Sequence, residues 1–287
     1  MKTLLMWSGG ADSTFILYKL LTDTTDQVTA VVLDKAPGAQ NSISHTPQSS
    51  LRIPRLIQEL KKIRDFEVIR KTVTDQSITP ETDHYYTYFI NSVAADINAG
   101  VYDRIATGRT WEQQDQSVYK NSSVKGTPSQ FAAERLFAEL CTRGELWNPL
   151  VTDEYYENFS RWHVFEYLPQ NILELTLSCH SPNSTNNGQW NEPCGRCYKC
   201  LWDQKVQDMR LNGYTAEHVN AWRRLKSLEY GGNTGISAPI RYWLPIEMRR
   251  GKIINDLRTK QMVIDYVNSN QHYSLQGKSN TDIWSNI

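Results

Sequence analysis

The stretch Ser8-Gly9-Gly10-Ala11-Asp12-Ser13 decides the reading of this chain. It follows a short apolar run, Thr3 to Trp7, and leads into an apolar segment, Thr14 to Leu21, so the order is strand, glycine-rich turn, helix. In that setting the glycines let the backbone bend and expose its amides, and the serine hydroxyls add donors. The helix N-terminus supplies positive potential for a phosphate group. The fragment therefore reads as a pyrophosphate cradle. It has neither the Gly-x-x-x-x-Gly-Lys-Ser/Thr spacing of a Walker loop nor the Gly-x-Gly-x-x-Gly of a dinucleotide fingerprint, which disfavours kinase and dehydrogenase chemistry.

Outward from the turn, strand-like and helix-like segments alternate. Val28 to Leu33 is a second apolar run of the kind found in strands buried on both faces. Leu56, Ile57, Leu60 and Ile63 recur at helical spacing between Pro54 and Arg64, with Pro54 suited to the first turn. Glu67 to Val73 reads as a third strand, Tyr85 to Asn98 as a helix closed by Gly100, and Arg104 to Thr107 as a fourth strand ending at Gly108. This alternation predicts an α/β fold built on a doubly wound parallel sheet. Ligands of such sheets bind beyond the carboxyl ends of the strands. There the phosphate turn, Leu33 and Asp34, and Thr107-Gly108-Arg109 are expected to converge.

Four of the five cysteines, Cys179, Cys194, Cys197 and Cys200, form a second pattern. Three thiols with two residues between neighbours, Cys194, Cys197 and Cys200, join Cys179 across a loop rich in Asn, Ser, Gly and Pro. Four thiolates suit a closed structural zinc site with no position left for water. An iron–sulfur cluster uses the same ligands, and disulfides are a further alternative. Against disulfides, the apolar run near Met1 is too short for a secretory signal, and a cytoplasmic setting keeps thiols reduced. Cys141, in the apolar helical stretch Phe131 to Leu140, reads as a core or surface thiol.

Composition bounds the remaining classes. The 287 residues are 39% hydrophobic and 22% charged, enough for one large core and a small second unit. No apolar stretch approaches the roughly 18 to 20 residues of a membrane span, and no internal repeat is visible. The net charge of zero hides a mild asymmetry, since residues 221–287 hold ten Lys/Arg against five Asp/Glu. That excess is small for a nucleic-acid-binding surface. His45, His84, His163 and His180 have no mutual metal spacing and read as ordinary surface or hydrogen-bonded histidines, with His180, beside Cys179, the one placed to support a ligand. Tyr85, Tyr86, Tyr88 and Phe89 read as helix core, and Trp111 as a candidate for stacking on a purine-like ligand.

The six residues Ser8 to Ser13 resemble the SGGxDS signature of the PP-loop ATP pyrophosphatases, whose fold is the adenine nucleotide alpha hydrolase-like type. Together with Thr107-Gly108, Pro149-Leu150, Ser178-Cys179 and Cys-Gly-x-Cys-x-x-Cys, residues 1–220 resemble the 7-cyano-7-deazaguanine synthase family. The resemblance implies an ATP-dependent carbon–nitrogen ligase of queuosine biosynthesis. Such an enzyme adenylates the carboxylate of 7-carboxy-7-deazaguanine, forms an amide with ammonia, and dehydrates the amide to the nitrile. Asp12 and Ser13 would be catalytic, and Ser8, Gly9, Gly10, Asp12, Ser13, Leu33, Thr107 and Gly108 would bind ATP with Mg²⁺. Cys179, Cys194, Cys197 and Cys200 would hold structural Zn²⁺.

The chain departs from the family in three places. The aromatic-Asp-Tyr-Gly-Gln segment after the second strand is replaced by Leu33-Asp34-Lys35-Ala36-Pro37-Gly38. The Pro-Gly-Arg-Asn before the central helix is replaced by Pro80 to Tyr86, and the lysine of a later helix has only Arg161 and His163 near its place. Two alternatives follow: a PP-loop enzyme that stops at an amide or uses another acid or amine, and a tRNA-modifying or nucleic-acid-binding PP-loop protein. The expected organisation is a nucleotide-binding domain over 1–177, a zinc module with following helices over 178–224, and a helical extension over 225–287. The extension's aromatics and aliphatics predict burial against the catalytic domain or in a homodimer interface.

Overall fold

The computed structural model of the protein describes residues 1–35, 52–73, 93, 95–96, 99–106, 145–147, 160–179, 193–231, 244 and 261. Two compact units emerge, one holding Met1–Arg109, Ser123–Glu157 and Tyr167–Cys194, the other Thr110–Ser122, Asn158–Glu166 and Gly195–Ile287.

The first unit is built on a parallel sheet of five strands in the order β3-β2-β1-β4-β5. They are β1 (Lys2–Met6), β2 (Gln27–Lys35), β3 (Glu67–Val73), β4 (Arg104–Ala106) and β5 (Glu145–Trp147). Every neighbouring pair is parallel, with Leu5 opposite Ala30 on one side of β1 and opposite Ala106 on the other. The order thus runs outward in both directions from β1, and the sequence order reverses beside it. Leu4, Leu5, Met6 and Trp7 are all buried, as are Ala30 to Leu33 in β2, the continuous apolar pattern of strands covered on both faces. The segment Glu67–Val73 matches the expected strand, whereas β2 extends two residues past Leu33. The three-residue β5 was not anticipated, being too short to show a period.

Helix α1 (Ala11–Asp23) begins three residues earlier than the apolar pattern alone suggests. Its first turn contains Asp12, whose charge opposes the helix dipole, and Thr14 N–H donates to Gly10 C=O to close that turn. Phe15, Ile16, Leu17, Leu20 and Leu21 bury its inner face. Its far end is sealed by Arg64, which donates to the carbonyls of Leu20 (2.8 Å), Asp26 (3.0 Å) and Thr24. Helix α2 (Arg52–Lys61) starts two residues before Pro54, leaving the proline in the first turn, where it removes no helical hydrogen bond. Val93, Ala95 and Asp96 are helical, and Gly100, at φ +69°, ends that element as expected, with Val101 N–H reaching back to Asp96 C=O.

The second unit contains most of α3 (Arg161–Tyr167), with α5 (Tyr198–Leu211) and α6 (Ala216–Gly231); the short α4 (Gln170–Leu173) belongs to the first unit. Two similar caps organise the three helices. Ser160 begins α3 and its N–H donates to His163 Nδ1 at 2.9 Å; Thr215 begins α6 and donates likewise to His218 at 3.1 Å. In each case the histidine takes the place of the glutamate of a capping box. Gly213, at φ +81°, closes α5 through a Tyr214 N–H bond to Met209 C=O. Trp202 and Trp222 stack between α5 and α6 with ring centroids 6.2 Å apart. The Tyr85 to Phe89 cluster, Trp111, Cys141, and the extension beyond Gly231 apart from Leu244 and Gln261 lie outside the described residues. Among the described residues, no helix is long and apolar enough to cross a membrane.

Candidate phosphate turn and four-cysteine centre

The turn between β1 and α1 sits at the carboxyl end of the central strand. Trp7 fixes its approach: the backbone N–H donates to Val31 C=O, and the indole N–H donates to the Thr14 hydroxyl at 3.0 Å. Gly9 then adopts φ +71°, a left-handed conformation that side chains strain to reach. A Cβ on Gly9 would also meet the terminal methyl of Ile53 from α2, which would have to shift to admit it. Gly10 is extended and caps the helix without a side chain.

Hydroxyl groups line this bend. Ser13 Oγ accepts the Ser8 N–H at 3.1 Å and lies 2.9 Å from Ser8 Oγ, which in turn accepts the Gly10 N–H at 3.3 Å. Ser8, Gly9, Gly10, Asp12 and Ser13 are thus brought into one turn at a helix N-terminus, the arrangement expected of them. Asp12 is 8% exposed. Leu33 is fully buried within β2, two residues before the strand ends, so its side chain belongs to the core. Thr107 and Gly108 follow β4 immediately but lie outside the described residues.

Ser178 is a participant that the sequence reading left without a role. Its Oγ accepts the Ala11 N–H at 3.1 Å, and the adjacent Leu177 N–H donates to Gly9 C=O at 3.1 Å. The contact spans 167 residues of chain, and no local pattern announces it.

The next residue, Cys179, belongs to the second site. The sulfurs of Cys179, Cys194, Cys197 and Cys200 all lie within 4.8 Å of one another, and none is in a disulfide. Zinc–thiolate bonds of about 2.3 Å place the sulfurs of a tetrahedron about 3.8 Å apart. The Cys197 and Cys200 sulfurs, 3.5 Å apart, already match such an edge. Local structure explains the grouping. Gly195, at φ +66°, bends the Cys-x-x-Cys segment, and Cys197 caps α5, which puts Cys200 on its first turn. The Cys194 N–H donates to Cys179 Sγ at 3.3 Å, a contact that supports negative charge on sulfur. The cluster can hold a metal ion, and its four soft ligands without a carboxylate or imidazole fit a closed site.

The remaining candidates fall into supporting roles. Arg161 is 2% exposed and forms a two-pronged pair with Asp203 at 2.7 and 2.9 Å. Its guanidinium is committed to the helix packing. His163 is held by Ser160, and burial pushes its pKa below the ordinary range despite the nearby carboxylates of Glu217 and Glu166. His45, His84 and His180 lie outside the described residues. A cavity of about 750 Å³, lined by Lys2, Gln27, Lys61, Phe66, Glu67 and Tyr102 among others, opens at the amino-terminal ends of the strands, away from the phosphate turn. Compared with known proteins, the chain matches no protein-family model and no curated protein.

Proposed function

We propose that this protein is an ATP-dependent, AMP-forming ligase that resembles 7-cyano-7-deazaguanine synthase and joins ammonia to the carboxylate of a 7-deazapurine. The observation that carries this reading is the Ser8 to Ser13 turn: a left-handed Gly9, paired serine hydroxyls and a helix N-terminus at the carboxyl end of β1, beside the reversal of strand order. In the proposed reaction a substrate carboxylate oxygen attacks the α-phosphorus of ATP and pyrophosphate leaves. Ammonia then attacks the acyl carbon and releases AMP, leaving an amide. The amide oxygen then attacks the α-phosphorus of a second ATP and pyrophosphate leaves, and loss of AMP and a proton from the adenylated intermediate gives the nitrile.

The Ser8 and Ser13 hydroxyls and the positive end of α1 would bind the β- and γ-phosphates as they become pyrophosphate. This places stabilising dipoles where charge accumulates on the leaving group. Asp12, in the first turn of α1, would hold Mg²⁺, which would supply charge neutralisation at the phosphate oxygens. Thr107 and Gly108 would border the nucleotide. The four-cysteine centre would hold structural zinc and take no part in the chemistry.

A second reading keeps adenylation and changes the acid or the amine, or stops at the amide. The replaced segments Leu33 to Gly38 and Pro80 to Tyr86 favour it, because both border the substrate in the family that the chain resembles. The deciding experiment incubates the protein with ATP, Mg²⁺, ammonium and candidate deazapurine acids, and identifies nucleotide and base products by mass spectrometry. AMP with pyrophosphate is expected, reduced on the order of a hundredfold or more in Asp12→Ala. ADP with phosphate from the wild type refutes the mechanism, and the base product separates nitrile from amide. Salt-sensitive tRNA binding would instead favour a nucleic-acid substrate.

A further inference from the structure

The chain from Glu174 to Cys179 forms a strap fastened at successive points. Arg52 Nη1, at the start of α2, donates to the carbonyls of Glu174 (3.2 Å) and Thr176 (3.1 Å). Leu177 N–H donates to Gly9 C=O, and Ser178 Oγ receives the Ala11 N–H. Cys179 then enters the four-sulfur cluster and accepts the Cys194 N–H. The two bonds to the turn bracket Gly10, at the bend where β1 gives way to α1. They engage a carbonyl and an amide that neither β1 nor α1 uses in its own ladder, so the strap supplies partners the turn lacks locally.

We propose that the strap makes the phosphate turn sensitive to the state of the four-cysteine centre, with Ser178 as the positioning residue. A metal held by the four thiolates anchors Cys179, and one residue away Ser178 is kept against the Ala11 amide. Loss of the metal frees the end of the strap and with it the two bonds that hold Gly9 and Ala11. The proposal deepens the nucleotide-binding reading of the same turn, but the geometry it rests on needs no nucleotide.

The test uses full-length protein loaded with one equivalent of Zn²⁺ or Co²⁺ and reads amide hydrogen exchange residue by residue. Stripping the metal with a chelator is expected to speed exchange at Ala11 about fivefold or more, the loss of one hydrogen bond, while Leu5, Ala30 and Val31 in the sheet stay protected. Ser178→Ala is expected to give the same local change with the metal still bound, shown by an unaltered cobalt–thiolate absorbance. Ser178→Thr, which retains the hydroxyl, is expected to restore slow exchange. The proposal is overturned by unchanged exchange at Ala11 in either arm, by equal loosening of turn and sheet on stripping, or by failure to take up metal. An exchange response in a protein that binds no ATP would leave the strap standing and remove the ligase reading. ATP turnover with an unresponsive turn would do the reverse.

Discussion

Replacing Gly9 with alanine tests the geometry of the phosphate turn more directly than any change to its charged residue. Two costs arise together. At φ +71° an L-residue is disfavoured by about 1 to 2 kcal/mol relative to glycine. The new Cβ also meets the Cδ1 methyl of Ile53, a side chain only 2% exposed, and displacing a well-packed group costs about 1 to 3 kcal/mol. Alanine restricts the unfolded chain and recovers about 0.4 to 1 kcal/mol, so Gly9→Ala is expected to destabilise the protein by about 1 to 4.6 kcal/mol. The collision involves one methyl, since Ile53 Cγ1 at 3.6 Å and Leu56 Cδ1 at 4.0 Å would be ordinary contacts. Ile53→Val removes that methyl, costs about 0.5 to 1.5 kcal/mol alone, and should relieve part of the strain in the double variant. Urea denaturation followed by circular dichroism on the four proteins of the cycle gives a favourable coupling of about 1 to 2 kcal/mol if the reasoning holds. Gly10→Ala is the control: its backbone is extended and its nearest neighbours are the Ser8 and Ser178 hydroxyls at 3.3 Å, so its cost should be smaller. A neutral Gly9→Ala, or additive behaviour with Ile53→Val, would refute the placement of α2 against the turn.

Three further outcomes are expected. Burial works against ionised Asp26, but the Thr3 hydroxyl and the Arg104 guanidinium outweigh it and hold its pKa below the ordinary 3.8. Its stabilisation is therefore present above that value and lost as pH falls toward the folded-state pKa. Asp26→Asn should cost about 1.5 to 3 kcal/mol at neutral pH and flatten the acid limb of the stability profile, read from urea midpoints between pH 2 and 7. His163 shows the opposite charge with the same sign of dependence. Its folded-state pKa lies below the ordinary 6.5, so the unfolded chain takes up the proton first and stability erodes as pH falls below that value. His163→Gln, which keeps a capping acceptor for Ser160 without a titrating ring, should weaken the pH dependence between about pH 5 and 6.5, and an unchanged slope would assign that dependence elsewhere. Cys197→Ser removes one of four thiolates and should lower bound metal well below one equivalent by elemental analysis; full metal retention would exclude Cys197 from the site.

Much of the architecture is legible along the chain because it depends on short-range patterns. Leu4 to Trp7 and Ala30 to Leu33 are apolar without interruption, the pattern of strands covered on both faces, and their short length between turn residues favours strand over helix. The strand-turn-helix order around Ser8 to Ser13, the glycine that ends the helix before β4, and the close spacing of Cys194, Cys197 and Cys200 are likewise local. A turn, a helix stop or a Cys-x-x-Cys bend is set by residues within a few positions of one another. The commitment of Arg161 to Asp203 in another helix could not be reached from the chain alone, whereas His163, read there as an ordinary surface or hydrogen-bonded histidine, gains from the structure its Ser160 partner and its burial.

Tertiary structure alone decided the contacts with no sequence period. The side-by-side pairing of β1 with β4, the addition of β5, and the Ile53 methyl packed against Gly9 all join segments distant along the chain. The same is true of Ser178, whose place beside the Ala11 amide depends on α2 and the strap rather than on its neighbours in sequence. The physical reason is common to these cases. Backbone propensity and hydrophobic alternation act over a few residues, whereas packing and the pairing of leftover amides and carbonyls are settled only once the chain has folded.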